Sequence, residues 1–353
     1  MVSYSPTMAE SPTDRFVSFS IEEGVSSPRV EFSVVVSNWN GAEWLVRCLS
    51  ALQLSARSTR LTHEILVVDD ASSDDSVALV QTHFPTVRLI RNKRNLGFAE
   101  STNKGVRKAK GRVVVLCNND LVVKTEFLPQ LLKWFTPGYE GVRKLGIPEG
   151  QLFSVSAQTL SWWNGEPNQL CMNAQFNGGR LTPAWSRPTE PRHCVFTQAG
   201  AAAYDRIKFL QLRGLRPQFH PGYWEDYDIS YRAAKIGWAS LYDPAALALH
   251  HGGGSMTKRF GAARVARMKA RNHLLFEWMN INSNQLLTRH FVGLCLGLLK
   301  EGLPTKKERP LQRAFLDALP FLGGVLRERW RNSVPKFSDQ ELLKLGKDSK
   351  PSF

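Results

Sequence analysis

The chain has 353 residues, 42% of them hydrophobic and 22% charged, so it can bury the core of one large domain or of two closely packed halves. Its 46 basic and 31 acidic side chains leave a formal net charge of +15, which indicates an anionic partner without saying which one. Five cysteines without a C-x-x-C pair argue against a disulfide framework or a zinc site, and the longest late apolar run, Phe291–Leu299, is far shorter than the roughly 18 residues of a spanning helix.

Residues 1–30 are rich in Ser, Pro and Glu and show little periodicity, so we expect a disordered leader that takes no part in the fold. No basic stretch followed by an apolar run opens the chain, which predicts no signal peptide. We therefore expect a cytoplasmic protein, either soluble or peripheral on the inner face of the cell membrane.

Four short β-branched runs then follow at regular intervals, with helical patterns between them, of which the one at 98–109 is expected to end at Gly111 as a C′ glycine. Their nearly unbroken apolar character is typical of strands that are buried on both faces of a parallel sheet. The runs are Ser33–Ser37, Glu64–Asp69, Val87–Ile90 and Val113–Cys117. The alternation predicts an α/β fold with a Rossmann-like, doubly wound, mostly parallel sheet that binds a nucleotide at its carboxyl edge.

The pattern changes twice further along the chain. From about residue 140 to 215 it suggests loops and short strands around a second pocket. Two helices are predicted after that, Glu225–Ile236 and Gly261–Asn280, with two short strands between them at 239–242 and 246–250. We divide the chain into a nucleotide-binding half at 31–135, a second half at 136–280 and a helical basic tail at 281–353. The tail mixes apolar and basic residues, so it either lies on an anionic membrane face or packs as ordinary helices.

Polar side chains follow three of the four predicted strands at the point where each strand ends, and such side chains converge on one crevice. A carboxylate and a pyrophosphate together make a good oxygen site for Mg²⁺ or Mn²⁺, and Asp120 is the natural ligand. Asp69 and Asp70 would accept hydrogen bonds from a base or ribose. The alternative for each acid is a helix cap. The strand-end residues are Asn38, Asn40, Asp69, Asp70, Asn119 and Asp120.

Two adjacent histidines, His250 and His251, precede three glycines at the end of another predicted strand. A neutral imidazole can ligate a metal or donate to a phosphate oxygen, and glycine lets backbone N–H groups approach an anion. We expect His250 to be the ligand. Packing in the core is the alternative for either ring.

The segments SVVVSNWNG, VVDDASSDDS, NLGFAESTNKG and VVVLCNND, in this order and spacing, resemble the family 2 glycosyltransferases, which are inverting enzymes of GT-A fold, and in particular the rhamnosyltransferase-like branch. The resemblance covers about residues 32–280. It implies that Asn95, Gly97 and Asn103 of the third segment also bind the nucleotide-sugar, and that the half at 136–280 binds the acceptor.

The segment from Gly222 to Arg232 is similar to the family's E-D-x-D-x-x-x-R segment. The resemblance implies that Asp226 is the catalytic base, with Trp224 and Glu225 beside the substrate. It also assigns His250 to the metal and diphosphate, and Arg271-Asn272 fits an R-N pair of the late helix. On a helix, Asp228 and Arg232 can pair at i, i+4, and the helix dipole favours ionised acids in the first turn.

The chain departs from the wider class at two motifs. Its D-x-D motif reads Asn118-Asn119-Asp120, so one acid is an amide, and the Q-x-x-R-W motif of processive enzymes lacks its Gln at Leu326–Trp330. The function implied is therefore transfer of a single sugar from a nucleotide-diphosphate sugar to a saccharide or lipid-linked glycan. Aromatic residues expected to stack on the acceptor are Trp162, Trp163, Tyr223 and Trp224.

Other functions fit less well. A nucleotidylyltransferase is expected to carry a Gly-rich phosphate loop after the first strand, and a nicotinamide enzyme a G-x-G-x-x-G motif, and neither pattern occurs there. No nucleic-acid partner is expected, because the basic residues are dispersed. A relative that binds the nucleotide-sugar but has lost catalysis stays an alternative, against which the presence of both Asp120 and Asp226 argues. The donor sugar stays open among rhamnose, galactofuranose, glucose and mannose.

Overall fold

A computed structural model describes residues 30–252, 255–301, 310–331 and 335–345, so all but the last residue of the expected leader lies outside the described residues. The first part of the chain alternates strands and helices. Its elements are β1 (Phe32–Asn38), α1 (Ala42–Ser58), β2 (His63–Asp69), α2 (Ser76–His83), β3 (Arg88–Arg91), α3 (Phe98–Lys108), β4 (Val113–Asn118), β5 (Leu121–Val123), α4 (Phe127–Leu132) and α5 (Glu140–Lys144).

The rest of the chain begins with strands and ends in helices. The strand-rich part contains β6 (Leu152–Ser161), β7 (Pro167–Gln169), β8 (Cys171–Asn177), β9 (Arg180–Ser186), β10 (Arg192–Cys194), β11 (Ala201–Asp205), α6 (Arg206–Gln211), α7 (Glu225–Lys235) and β12 (Ala239–His250). The helical part contains α8 (Ser255–Phe260), α9 (Ala262–Asn280), α10 (Asn284–Glu301), α11 (Pro310–Ala318), α12 (Leu322–Arg331) and α13 (Asp339–Leu345).

One ten-stranded sheet joins both predicted halves, in the order β10-β12-β6-β11-β4-β1-β2-β3, with β5 beside β12 and β7 beside β6. Strands β3, β2, β1 and β4 are parallel to one another, and β6 is parallel to β12. Strand β11 is antiparallel to both of its neighbours, β4 and β6, so β12 runs in the same direction as β4. The predicted mostly parallel α/β sheet is confirmed, and the ends of β1, β4 and β12 meet at one edge.

Alternate side chains of the central strands enter two different cores. Val34 and Val36 of β1 pack with Leu45 of α1, whereas Val35 between them packs with Val106 of α3 on the other face. Because helices cover both faces, no position on the strand needs a polar side chain. This is why the strands appear in the sequence as unbroken apolar runs.

Two local predictions differ from the structure. The expected pair of strands at 239–242 and 246–250 is one strand, β12, whose pairing with β6 shifts register between Asp243 and Leu247. Gly111 was expected to end α3 as a left-handed residue, but the helix ends at Lys108 and Ala109 is already extended. A Cβ on Gly111 would lie 2.4 Å from the Phe32 carbonyl carbon, so close packing against β1 explains this glycine.

The helices that follow β12 build a second core with the two-stranded sheet β8-β9. Buried apolar residues of α9, α10, α11 and α12 contribute to it, among them Leu274, Leu294, Ala314 and Val325. Helix α9 packs against α11 and α12 on one side and against the sheet domain through α7. In the described part of the chain, no helix combines the length and the apolar character needed to cross a membrane.

Candidate active site

A cavity of about 870 Å³ opens where the ends of β1 and β4, the end of β12 and the start of α7 come together. Most of the residues predicted to form a site line it. They are Asn38, Asp70, Asn95, Gly97, Asn119, Asp120, Trp224, Glu225, Asp226 and His250. Asn40 lines a smaller neighbouring cavity of about 310 Å³ together with Asn119 and Asp120. Asp69 and Asn103 are not among the residues lining either cavity.

Side chains from three strand ends form a hydrogen-bonded row at the cavity floor. The Asn119 Nδ2 atom donates to Asn38 Oδ1 at 2.7 Å, and Asn38 Nδ2 donates to Asp69 Oδ2 at 3.1 Å. The other oxygen of Asp69 accepts the backbone N–H of Ser72 at 3.1 Å. Asp69 therefore orients Asn38, which lines the cavity in its place. A Cβ on Gly41 would lie 2.0 Å from Asn119 Nδ2, so only glycine leaves room for this row.

Asp70 shapes the loop that carries Asn95 and Gly97. Its carboxylate accepts three hydrogen bonds of 2.8 Å, from Asn92 Nδ2 and from the backbone N–H groups of Leu96 and Gly97. Because these donors fill most of the acceptor capacity of a carboxylate, the main contacts of Asp70 are those that hold this loop in place. Gly97 has a φ of +83°, and an added Cβ would lie 2.5 Å from His220 Nδ1.

Asn103 joins two elements away from the cavity. Its Nδ2 donates to the Leu215 carbonyl at 2.7 Å and its Oδ1 accepts the Leu215 N–H at 2.9 Å. Both ends of the amide are therefore used between α3 and the segment before α7. The implied role of Asn103 in donor binding stays a prediction, and its contacts in the structure are those of a tie between two elements.

Asp120 and His250 lie side by side because β5 pairs with the end of β12, His250 opposite Leu121. The Asp120 Oδ1 and His250 Nε2 atoms are 3.3 Å apart, and each side chain is about one fifth exposed to the cavity. Burial alone would raise the pKa of Asp120, but the hydrogen bond and charge of His250 outweigh it and the pKa is lowered. An ionised carboxylate and an imidazole are thus presented together.

This pair fits a divalent cation that takes its remaining ligands from a substrate. Among the described residues, no group of three or more His, Cys, Asp and Glu side chains is placed to hold a metal. Mg²⁺ and Mn²⁺, however, commonly use one or two protein ligands and take the others from phosphate and water. His251 has a different environment, since its ring stacks on Trp44 at 3.9 Å.

The turn before α7 holds two residues in a strained conformation. Tyr223 and Trp224 have φ angles of 76° and 77°, a region that costs a non-glycine residue about 1–3 kcal/mol. The Asn272 Nδ2 atom lies within hydrogen-bond distance of the carbonyls of Phe219, Gly222 and Tyr223, at 2.9, 2.8 and 3.0 Å. The R-N pair of α9 therefore holds this turn, since Arg271 Nη2 also donates to the His220 carbonyl at 2.6 Å.

Two acids of the first turn of α7, Glu225 and Asp226, face the cavity without a cation partner recorded in the described ranges. Burial raises the pKa of Asp226 to about 6, although a hydrogen bond of 2.9 Å from the Tyr227 N–H acts to lower it. Burial, and then the charge of Asp226, raise the pKa of Glu225 well above its usual range. The helix dipole favours ionised acids here, whereas burial acts in the opposite direction and raises the pKa of both carboxyl groups.

Asp228, two residues later, points into the core and is fully paired. Its oxygens accept from Arg216 at 2.6 Å, Arg232 at 2.8 Å and Asn280 at 2.8 Å. Burial would raise the pKa of Asp228, but the two guanidinium groups lower it. The predicted i, i+4 pair with Arg232 is confirmed.

The cavity also includes residues that the sequence analysis missed. Pro183 and Trp185 reach it from β9, and His273 reaches it from α9, where its ring stacks on Trp224 at 4.0 Å. Nothing in the sequence marks β9 as part of a site, because its approach depends on how the β8-β9 hairpin lies on α9. Of the predicted aromatic residues, Tyr223 and Trp224 line the cavity and Trp162 and Trp163 do not.

Comparison with known proteins gives one family match. Residues 33–177 match the model of Glycosyl transferase family 2. An N-acetylglucosaminyl-diphospho-decaprenol L-rhamnosyltransferase of Mycobacterium tuberculosis (strain CDC 1551 / Oshkosh) is 24% identical over 246 residues. The match spans 62% of this chain and 75% of the mycobacterial protein.

Two solved structures are similar in fold. A structure of GalNAc-T7 with UDP, GalNAc and Mn²⁺ has a TM-score of 0.54 at 16% identity, covering 88% of this chain and 59% of its own. A structure of residues 1–349 of TarS from S. aureus in complex with UDP has a TM-score of 0.50 at 13% identity, covering 90% of this chain and 91% of its own. The predicted GT-A architecture is confirmed at the level of the fold.

Proposed function

We propose that this chain is a glycosyltransferase that moves one sugar, with inversion, from a nucleotide-diphosphate sugar to an acceptor hydroxyl, with Asp226 as general base. The family 2 match at residues 33–177, the mycobacterial relative and the GT-A fold support this proposal. One observation carries this proposal. The cavity that contains the Asp120-His250 pair also contains the carboxylate of Asp226. In the described part of the chain this carboxylate has no cation partner, and its pKa is raised to about 6.

We assign the donor to the strand-end side of the cavity. Asn38, Asp70 and Asn95 would face the base and ribose, and Asp120 and His250 would hold Mg²⁺ or Mn²⁺ against the diphosphate. When bound, the cation neutralises charge that develops on the departing diphosphate. The GalNAc-T7 structure contains UDP and Mn²⁺ and the TarS structure contains UDP, which supports a nucleotide-sugar donor and a divalent cation, while the residue assignments are our own.

We assign the acceptor to the α7 side. Asp226 accepts the proton of the acceptor hydroxyl while the hydroxyl oxygen forms a bond to the anomeric carbon. The bond from that carbon to the diphosphate oxygen breaks, and the nucleoside diphosphate leaves with the electron pair. A pKa of about 6 leaves Asp226 ionised at neutral pH and makes it a stronger base than an ordinary aspartate. Burial, and then the charge of Asp226, raise the pKa of Glu225, which disfavours a second negative charge beside the base.

The substrates are proposed from the relatives and from the cavity wall. The mycobacterial relative is named for a rhamnosyl donor and a diphospho-decaprenol acceptor, which supports L-rhamnose and a lipid-linked glycan here. Tyr223, Trp224 and Trp185 offer aromatic faces on which the apolar face of an acceptor sugar can stack. Galactofuranose, glucose and mannose donors are the other members of the donor set to be tested.

A donor screen with Mg²⁺ or Mn²⁺, with and without chelator, tests the proposal. We expect nucleoside diphosphate release with one donor, lost on chelation and restored by the cation. We expect His250→Ala and Asp120→Asn to weaken cation-dependent donor binding by about tenfold or more. Glu140→Gln, which changes an exposed carboxylate of α5 that lines neither cavity, is the matched control. Donor binding that is independent of the cation would remove the assigned role of Asp120, and absence of turnover with every donor would contradict the proposed reaction.

A further inference from the structure

The C-terminal helices expose large apolar side chains on the side that faces away from their core. Helix α12 shows Leu322, Leu326 and Trp330 at a spacing of four residues, so the three form one stripe, and Trp330 is 88% exposed. The exposed residues of α10 between Phe291 and Leu299 are likewise apolar. Its exposed residues include Phe291, Val292, Leu296 and Leu299, of which Leu299 is 74% exposed, and Leu316 of α11 is also exposed.

These residues are not part of the hydrophobic core. The core-facing positions of the same helices are filled by other residues, namely Leu294 of α10, Ala314 of α11 and Val325 of α12. A surface helix normally pairs a buried apolar face with a polar face. Here the second face is apolar as well, and exposed apolar patches of this kind mark interaction sites.

The acidic and basic side chains of these three helices differ in their surroundings. Each of the three acids of α10, α11 and α12 has a partner inside the fold. Glu301 accepts the N–H groups of Leu311 and Gln312, Asp317 pairs with Arg267, and Glu328 pairs with Arg216. Five basic residues of the same helices are exposed, namely Arg289, Lys300, Arg313, Arg327 and Arg331, of which Arg289 lies over the Phe176 ring and Arg331 pairs with Glu328. The surface is therefore apolar and positively charged.

The same helices support the acceptor side of the cavity. Helix α11 packs on α9 and pairs with it through Asp317 and Arg267, and α9 presents Lys269 and His273 to the cavity. Helix α10 holds the turn of the β8-β9 hairpin, because His290 Nδ1 donates to the Gly179 carbonyl at 2.8 Å. Strand β9 then carries Pro183 and Trp185 to the cavity.

We propose that the exposed faces of α10, α11 and α12, here called the apolar-basic surface, bind an anionic lipid membrane. Apolar side chains enter the boundary between headgroups and acyl chains, and the basic side chains attract anionic headgroups. A second copy of the chain fits less well, since a two-fold interface would place the same basic residues against one another. The inference goes beyond the transfer reaction, although a membrane would also present a lipid-linked acceptor.

Vesicle flotation with the full chain tests this inference. We expect binding to vesicles of phosphatidylcholine with about 30% phosphatidylglycerol and much weaker binding to phosphatidylcholine alone, with the difference reduced at high salt. Leu326→Glu with Trp330→Glu should weaken binding by at least tenfold, and Arg313→Gln with Arg327→Gln by about fivefold per cation. Leu54→Glu, which places a charge at an exposed leucine of α1, should have no effect.

Equal binding by the Leu326→Glu/Trp330→Glu protein, or no binding of the unchanged chain to anionic vesicles, would overturn the inference. So would a dimer in solution that the same double substitution dissociates, because the surface would then be a self-interface. Transfer to a water-soluble acceptor should be unchanged by the substitutions. If no transfer occurs in any variant while vesicle binding follows the expected order, the proposed reaction fails and the membrane surface stands.

Discussion

Asp226 and Asp228 belong to the same turn of one helix but have opposite electrostatic environments. Asp228 accepts hydrogen bonds from Arg216 and Arg232, which lower its pKa, whereas burial without such partners raises the pKa of Asp226 to about 6. Burial acts in the same direction on both carboxyl groups. The difference shows that the cations facing each side chain, more than its position on the helix, decide which acid anchors the helix and which is available for proton transfer.

Asp226→Asn should separate the two acids most clearly. We expect transfer to fall by about 10²- to 10⁴-fold, the usual size of a general-base contribution, while donor binding is unchanged. Steady-state turnover and donor titration measure the two quantities. Full transfer by the Asn variant with normal donor binding would show that another group is the base.

Asp228→Asn should instead act on folding. Removing the anion breaks the buried pairs with Arg232 and Arg216, of which Arg216 keeps Glu328 as a partner, and breaking a buried pair costs about 3–5 kcal/mol in the free energy of unfolding. Asp317→Asn is the matched control, because its ion pair with Arg267 is partly exposed and should contribute about 1 kcal/mol or less. Urea unfolding of the three proteins gives the comparison. Equal losses for Asp228→Asn and Asp317→Asn would contradict it.

The pH dependence should show the smallest but most specific difference. Below the Asp226 pKa of about 6, kcat/KM is expected to fall about tenfold per pH unit as the base is protonated. The stability terms have opposite signs. The raised pKa of Asp226 favours the folded state below 3.8, its usual value, and this term is lost as the pH rises through about 6.

The lowered pKa of Asp228 gives the reverse behaviour. Its contribution to stability is present above the usual value of 3.8 and is lost as the pH falls through its lowered pKa. Unfolding free energies of the two variants, measured from pH 2 to 8 against the unchanged chain, should therefore change with opposite signs and over different ranges, between 3.8 and about 6 for Asp226→Asn and below 3.8 for Asp228→Asn. Parallel curves for the two variants would mean that the two acids do not differ in this way.

Several site residues could be predicted because their positions depend on local order. Parallel strands bring their carboxyl ends to one edge, so Asn38, Asn119 and Asp120 could be placed together before any contact was known. The side of the crevice formed by β9 could not be predicted. Trp185 and His273 come from an antiparallel hairpin and a late helix, and their meeting depends on packing over about 90 residues of chain.

The raised pKa values of Glu225 and Asp226 in the first turn of α7 could not be predicted from the sequence either. A helix dipole can be inferred from sequence, and it favours ionised acids. Desolvation depends on what covers the side chain, and at Glu225 and Asp226 the covering residues come from other elements of the fold. The contacts of Asn103 could not be predicted for the same reason, because its hydrogen-bond partner Leu215 is 112 residues away in the chain.

The sequence by itself determined the parallel strands, the helices between them and the identity of the acids at the cavity, because period, β-branching and strand-end polarity are local properties. The tertiary structure alone decided which carboxyl groups have cations beside them and which have their pKa raised by burial, and it alone left the apolar-basic surface exposed. Both depend on contacts between residues far apart in the chain, because the pKa and the exposure of a side chain are set by the residues that pack around it in the folded protein.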